Sequence, residues 1–557
     1  MLEVASSFLF HSIRALADRV STDTAAMRRA MRGLGYPATL SSAYSIPGKA
    51  GGEFTLCQEN WHRSLGLFKL APVTAIVATM EKASSSRLKA NTLSLSDAIV
   101  LGLASSAPAQ TMAVALPALV AATGYAALLP IACAFVPMLG IALAYRHLNR
   151  WDQSAGATYT WVSKALHPYL GFVAGWVILI YYTLGTTGMT LPAGTYTLQL
   201  IAPGVANNKV AAVAVGSLWN LTVTFLLLAG IEVAARFQRA LAVFEYTVLF
   251  FFAVLGIRAL ISGHAAASVT PAWFGIYAIK TKEFAAGILI AVFMYSGWDA
   301  AIYVNEETKN KEANPGRAAV SSVVILLFVY SLITFAYQGI LDPAALQSSA
   351  GNALAVIAQR LLPGPGSLLL SVVVLLGTVA CLQVAIVSAS RLGFAMAEDR
   401  VMPSFFKIIH PRTGSPWAVT LFMGGINLVF LMLTAFEAGG TREMLSNIAG
   451  SLGIIASLFY ALTAIAAVWQ YRGVLFENVG NFVLGGLWPA LGAIFLLLVV
   501  IEAVVTGAVS PAVLWSGLGA SAIALPIALG IRYVGKVPSL DRSRTQAISV
   551  AKIEDLS

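Results

Sequence analysis

The chain has 557 residues, of which 58% are hydrophobic and only 11% charged, and its mean hydropathy is +0.79. This composition excludes a soluble globular protein and indicates an integral membrane protein with many helical spans. The formal net charge of +10 would suggest nucleic acid binding in a soluble protein. Here the basic residues lie mostly between apolar runs, where they report membrane topology, so we predict no nucleic acid partner.

Residues 1–90 differ from the rest of the chain. They contain several arginines, scattered Gly and Ser, and one apolar run at 65–79 that includes Lys69 and is short for a membrane span. We expect these residues to form a poorly ordered cytoplasmic extension. The alternative is that the natural start of the protein is Met80.

Apolar runs recur regularly from Leu95 onward, and each is long enough to cross about 30 Å of hydrocarbon. We therefore predict an all-α membrane protein with about twelve transmembrane helices. The predicted spans are 96–122, 125–147, 168–201, 210–231, 240–262, 284–304, 318–341, 366–397, 416–436, 445–470, 482–506 and 511–534. A polar tail, 535–557, follows them.

The loops between these spans differ in basic charge. If the N-terminus is cytoplasmic, 21 Lys and Arg after residue 80 fall on the cytoplasmic side and five on the opposite side, with Arg258 near the outer end of the fifth span. Such an excess follows the positive-inside rule. We therefore predict a multi-pass protein of the cytoplasmic membrane with both termini in the cytoplasm.

The first and sixth predicted spans each contain a break. In the first span, Ser105 and Ser106 precede Pro108, which removes a backbone donor and disfavours helix at the residue before it. In the sixth, Ser296 and Gly297 interrupt an apolar helix just before Asp299. A simple proline kink is the alternative for the first break. Two breaks five spans apart are what a pair of inverted five-helix repeats would produce.

The chain resembles the amino acid, polyamine and organocation superfamily of transporters in three stretches. They are Tyr295–Asp299 with Glu306, Glu307 and Asn314–Arg317; Ala389–Pro403; and Ser154–Trp161 with Gly171–Trp176. The resemblance covers Leu95 to about Val534. It implies the leucine-transporter fold: one five-helix repeat over 95–262, a second over 284–470, and two further helices within 482–534.

The resemblance also implies a substrate site at the membrane midplane, between the first and sixth helices. Many members have a Gly-Ser-Gly-like break in the first helix, and here Ser105-Ser106-Ala107-Pro108 stands in its place. The predicted substrate-binding residues are Ser105, Ser106, Ala107, Pro108, Ala109, Tyr182, Ser296, Gly297, Trp298 and Asp299. Backbone groups of 105–109 are expected to hold a carboxylate, because a helix N-terminus attracts anions.

Two acids within predicted spans are candidates for proton coupling, because an ionisable residue inside a membrane is costly and is usually functional. Asp299 is the first; it could also bind a substrate amine or cap the helix that follows it. Glu245 in the fifth span is the second. Its alternative role is to pair with a neighbouring helix or with Arg239.

Glu306, Glu307 and Arg317 are predicted to form part of an inner gate, with a solvated charge run as the alternative.

The eighth span has hydroxyls at Thr378, Ser388 and Ser390. They face the region where sodium-coupled relatives of the fold bind their ion. Serines in membrane helices usually bond to their own backbone, so we predict no metal site. Cys57, Cys133 and Cys381 lack metal-site spacing, and no enzyme motif or cofactor is predicted.

The sequence therefore predicts a secondary active transporter that imports an amino acid or related amine by alternating access, with a proton as the coupled ion. An obligate amino acid and amine exchanger is the first alternative. A non-transporting membrane sensor is the second.

Overall fold

A computed structural model of the protein describes residues 88–206, 208–275, 281–349, 352–436, 441–505, 507 and 510–527. Most of the predicted extension 1–90 and the whole of the tail 535–557 lie outside these residues. The described residues are helical and contain no strand beyond an isolated bridge between Leu93 and Thr308. The prediction of an all-α protein is confirmed.

Eighteen α-helices make up the described part of the chain. They are α1 (Leu95–Ser105), α2 (Pro108–Thr123), α3 (Leu128–Trp151), α4 (Thr158–Ala165), α5 (Pro168–Ile201), α6 (Lys209–Leu228), α7 (Ile231–Ile261), α8 (Thr281–Tyr295), α9 (Ala300–Tyr303), α10 (Asn314–Tyr337), α11 (Pro343–Ser348), α12 (Ala353–Leu361), α13 (Pro365–Glu398), α14 (Trp417–Phe436), α15 (Thr441–Tyr471), α16 (Trp488–Val505), α17 (Pro511–Leu514) and α18 (Ala520–Ala522).

Eleven stretches of the described residues are long and apolar enough to cross a membrane, and they correspond to the first eleven predicted spans. They are Leu95–Ala126, Leu128–Trp151, Pro168–Ile201, Lys209–Leu228, Ile231–Ile261, Glu283–Tyr303, Asn314–Tyr337, Pro365–Glu398, Trp417–Ala435, Asn447–Tyr471 and Asn481–Val505. Of the twelfth predicted span, 511–534, the described residues include a shorter apolar helix, Trp515–Ile527. Residues 511–514 form α17 ahead of it, and residues 528–534 lie outside the described part.

The boundary between the fourth and fifth spans lies earlier than predicted. The fifth span begins at Ile231 rather than at residue 240, because the chain turns at Gly230. Gly230 has a φ of 109°, which glycine adopts at little cost and other residues avoid. Arg239, expected just before the span, therefore lies on its first turns.

The long helix α13 lies at the centre of the bundle. In its most apolar window 89% of the residues are buried, against 33% in the outer span Trp417–Ala435. It packs along α5 and α7 and contacts both α1 and α2. Residues on α13 are therefore placed to reach the break in the first span.

Candidate substrate site

The first span is broken between α1 and α2, as predicted. Ala107 lies in the left-handed region, with φ 42° and ψ 65°, so the backbone cannot continue as one helix. Side chains from other helices bond to the carbonyls freed by the break. Ser105 O accepts a hydrogen bond from Cys381 Sγ at 3.1 Å, and Ser106 O accepts one from Tyr330 Oη at 3.3 Å.

A resident carboxylate lies at the N-terminus of α2. Ala109 N donates to Glu245 Oε1 at 3.0 Å, and Glu245 is buried. Pro108 has no N–H to offer, and Thr111 N already donates to Ala107 O. Of the two alternative partners considered for Glu245, the structure shows the neighbouring helix, through Ala109, and not Arg239, which lies 3.2 Å from Asp97. The protein thus places its own carboxyl group at the helix end where a substrate carboxylate was predicted.

The sixth span is also broken as predicted, between α8 and the short helix α9. Gly297 has a φ of 103°, and a Cβ added there would lie 2.8 Å from Ser105 O. The two breaks therefore touch, and only glycine fits at their contact. Tyr330 Oη lies 2.7 Å from Met294 O and 3.3 Å from Ser106 O, so its single O–H is shared between a carbonyl of each break.

Asp299 lies directly after this break and is completely buried. Its Oδ1 accepts a hydrogen bond of 2.6 Å from Tyr460 Oη, and its Oδ2 has no partner among the described residues. Asp299 stands at the cap position of α9, but its side chain makes no capping hydrogen bond. The alternative in which Asp299 caps this helix is therefore wrong.

Aromatic rings enclose the carboxylate of Asp299. Trp298 stacks on Tyr460, with ring centroids 5.2 Å apart and planes 13° from parallel. Tyr145 meets Trp298 edge-on at 5.0 Å. Tyr460 Oη also accepts a hydrogen bond from Gly297 N at 3.0 Å. Asp299 is thus linked through one tyrosine to the backbone of the break.

A small cavity of about 30 Å³ lies between the two breaks. That volume is room for about one water molecule, so the site is closed. The residues that line it are Ser105, Ser106, Ala107, Thr111, Tyr181, Tyr182, Gly185, Met189, Phe293, Ser296, Cys381, Ala385 and Leu452.

Half of the predicted substrate-binding residues line this cavity: Ser105, Ser106, Ala107, Tyr182 and Ser296. The structure does not bring the other five to it. Pro108 and Ala109 lie at the start of α2 and Gly297, Trp298 and Asp299 lie beyond the break of the sixth span. In this closed conformation these five residues do not line the cavity, and their contact with substrate stays a prediction.

Sequence analysis missed several lining residues, notably Met189 on α5, Cys381 on α13 and Leu452 on α15. These helices are apolar on most sides, so hydrophobic periodicity does not reveal which face meets a cavity. A partial signal existed only at the tyrosine pair Tyr181 and Tyr182. Both rings are buried, and both line the cavity.

Glu307, one of the residues predicted for an inner gate, pairs with an arginine that was not predicted. Arg391 on α13 makes a two-point ion pair with Glu307, with Nε to Oε2 and Nη2 to Oε1 both at 3.0 Å, and both side chains are 1% exposed. Arg317, the third residue of the predicted inner gate, is exposed and makes no ion pair within the described residues. Arg391 follows the lining residue Ala385 by six positions, or about 9 Å of helix.

Glu306 accepts a hydrogen bond of 2.8 Å from Ala155 N, which joins the segment after the sixth span to the loop before α4. Burial raises the pKa of the Glu306 carboxyl, and the Ala155 N–H opposes that rise. Glu306 also lines a wider pocket of about 560 Å³, together with Asp152 and Lys311. Along α13, the Glu307–Arg391 pair lies between this pocket and the small cavity.

Two of the three hydroxyls considered for a sodium site bond within their own helix, and the third, Ser388 Oγ, is buried with no hydrogen-bond partner of ordinary geometry among the described residues. Thr378 Oγ1 donates to Val374 O at 2.6 Å, and Ser390 Oγ donates to Val387 O at 2.8 Å. The described residues contain no group of three or more His, Cys, Asp or Glu side chains placed to hold a metal ion.

The chain is similar in sequence to known proteins whose names describe transport. It is 26% identical to the serine/threonine exchanger SteT of Bacillus subtilis (strain 168) over 50% of this chain and 62% of that protein. It is 26% identical to the low-affinity putrescine importer PlaP of Escherichia coli (strain K12), over 66% of this chain and 84% of the importer. It is 26% identical to the Asc-type amino acid transporter 1 of Mus musculus, over 52% of this chain and 55% of that protein.

The matched region thus spans less than two thirds of the exchanger and of the mouse transporter. A family model described as amino acid permease matches residues 91–529, which include both broken spans and the cavity between them. The chain therefore belongs to the amino acid permease family.

Proposed function

We propose that the protein is a proton-coupled secondary transporter that imports an amino acid or related amine across the cytoplasmic membrane. The observation that carries the proposal is Asp299, a buried carboxylate at a helix break with one oxygen unpartnered among the described residues. An ionised carboxylate inside a membrane is costly, and a bound proton removes that cost. The names of the relatives, which include amino acids and putrescine, support the substrate range.

Tyr460 supplies the coupling step. Its hydroxyl donates to Asp299 and accepts from Gly297 N, so a proton arriving at Asp299 changes the hydrogen bond that holds the break. The backbone at Gly297 touches Ser105, which lines the cavity. Protonation is thereby communicated to the substrate cavity. Opening toward the wider pocket then requires separation of Glu307 from Arg391.

The test is uptake into proteoliposomes of labelled amino acids and polyamines, with and without an inward proton gradient. Wild-type protein should accumulate substrate only with the gradient. Asp299→Asn should lose gradient-driven accumulation yet retain exchange of labelled for unlabelled substrate, because the amide still accepts the Tyr460 hydrogen bond but does not titrate. The control is Glu232→Gln, which alters an exposed pair with Lys89 that is worth little. Unchanged pH dependence in Asp299→Asn would sink the proposal for this residue.

Obligate exchange is the second candidate, favoured by the similarity to a serine/threonine exchanger. It differs in requiring substrate on the far side of the membrane. If label enters only liposomes preloaded with unlabelled substrate, and the proton gradient has no effect, exchange replaces symport.

A further inference from the structure

A second small cavity, of about 20 Å³, adjoins the first. Both are lined by Thr111, Met189, Phe293 and Leu452, which stand between them. Met189 is unbranched and adapts its shape readily, so its movement with Phe293 would join the two spaces. The remaining residues that line the second cavity are Gln110, Val114, Gly188, Leu445, Ile448 and Ala449.

The two cavities differ in polarity. Ser105, Ser106 and Ser296 line the first, although the hydroxyls of Ser106 and Ser296 donate to Gly102 O and Phe293 O. The Tyr182 hydroxyl is buried beside Ser388 and makes no hydrogen bond of ordinary geometry among the described residues. A buried polar group without a partner is costly, and a bound polar ligand or water would satisfy it. The second cavity is mainly apolar.

No charged side chain lines either cavity in the described part of the chain. The two buried acids nearby bond elsewhere: Asp299 to Tyr460, and Glu245 to the Ala109 amide. A second ammonium or carboxylate on a substrate would therefore be buried without an opposite charge at hand. Such burial is strongly unfavourable.

Building on the transport function above, we propose that the substrate is an amino acid with an uncharged, largely apolar side chain, and that Gly185 sets the size of side chain accepted. The polar end of the substrate faces the breaks and the Tyr182 hydroxyl. Its side chain passes Gly185 and then Met189, which lie one turn apart on the same face of α5, and reaches the second cavity toward Ile448.

Gly185 is the lining position where added bulk enters the cavity rather than the protein. A Cβ at Gly185 would meet no atom within 4 Å, whereas one at Gly188 would lie 2.9 Å from Ile448 Cγ2. Gly425, exposed on α14, also has nothing within 4 Å of an added Cβ and lines neither cavity. Substitution at Gly425 therefore controls for the general effect of replacing a helical glycine.

The experiment measures uptake of labelled alanine, leucine, lysine, glutamate and putrescine by the full chain in proteoliposomes. Alanine and leucine should enter, and the three charged-side-chain or diamine compounds should enter at least about tenfold more slowly. Gly185→Leu should reduce leucine uptake about tenfold relative to alanine uptake. Gly185→Ala should give a smaller change in the same direction, and Gly425→Leu should leave the ratio unchanged.

Lysine or putrescine uptake at the rate of leucine would overturn the proposal, as would equal loss of alanine and leucine uptake in Gly185→Leu. Thermal stabilisation of the purified protein by the same compounds separates this proposal from the transport proposal. Stabilisation by leucine without any uptake leaves the substrate class standing and rejects transport. Stabilisation by none of the neutral compounds, with no uptake, overturns both.

Discussion

Tyr460 connects the acid to the break at the scale of single atoms. Its hydroxyl is the partner of Asp299 Oδ1 and also accepts from the backbone of Gly297, while its ring stacks on Trp298. A hydroxyl can donate one hydrogen bond and accept others, so this one satisfies both neighbours at once. Removal of the Tyr460 hydroxyl would leave Asp299 Oδ1 and Gly297 N, both buried, without this partner.

Tyr460→Phe should therefore lower the stability of the protein by about 1–3 kcal/mol and abolish gradient-driven uptake. Thermal melting of the purified protein and proteoliposome uptake measure the two effects. Tyr337→Phe is the matched control, because the buried Tyr337 hydroxyl bonds to Leu249 O away from the cavity. That control should lose stability but keep uptake. Normal uptake by Tyr460→Phe would show that its hydroxyl carries no coupling.

Glu245 was singled out from the sequence as an acid within a span, but its hydrogen-bond partner was not identified. An acid in the middle of an apolar helix is visible in the sequence and predicts a specific partner. That partner is a backbone amide on a helix more than 130 residues earlier in the chain, at Ala109. A backbone donor has no residue signature, so the sequence suggested a neighbouring helix or Arg239 as the partner but could not identify Ala109.

At the scale of elements, the Glu307–Arg391 pair ties the end of the sixth span to α13. Buried ion pairs contribute little net stability as a pair, but loss of one partner leaves an uncompensated charge. The pair therefore favours the closed arrangement in which both charges meet.

Glu307→Gln should destabilise the protein by about 3–5 kcal/mol, because it leaves Arg391 buried without its counter-charge. Arg391→Met combined with Glu307→Gln should recover a large part of that loss, since no buried charge remains. The double-mutant cycle is measured by thermal or denaturant unfolding in detergent. Glu232→Gln, at the exposed pair with Lys89, should cost at most about 1 kcal/mol. Additive effects of the two buried substitutions would contradict direct coupling.

At the scale of the whole molecule, the two broken spans behave as one unit. Gly297 touches Ser105, and Tyr330 bonds to carbonyls on both sides. Around them, α13 and α5 are long, central helices, whereas spans such as Trp417–Ala435 lie outside. Movement of one break therefore requires movement of the other.

The orientation of the whole bundle leads to a labelling prediction. From the distribution of basic residues, Lys309→Cys should be shielded from a membrane-impermeant thiol reagent added to intact cells, and His264→Cys should react. Both positions are exposed and lie in loops at opposite ends of the sixth span. Permeabilised cells provide the control, in which both should react. The reverse pattern in intact cells would invert the predicted topology.

The sequence by itself determined the helical membrane class, eleven spans close to their observed positions, and both helix breaks. These follow from local causes: long apolar runs need a bilayer, and Pro, Ser and Gly interrupt helices wherever they stand. It also singled out Asp299, because an acid among apolar residues is visible without any contact.

Only the tertiary structure decided the partners. Arg391 rather than Arg317 meets Glu307, Tyr460 meets Asp299, and Glu245 meets the amide of Ala109. Which face of an apolar helix turns inward, and which distant residue it meets there, depend on the packing of all the helices together. No spacing along a single helix encodes that packing.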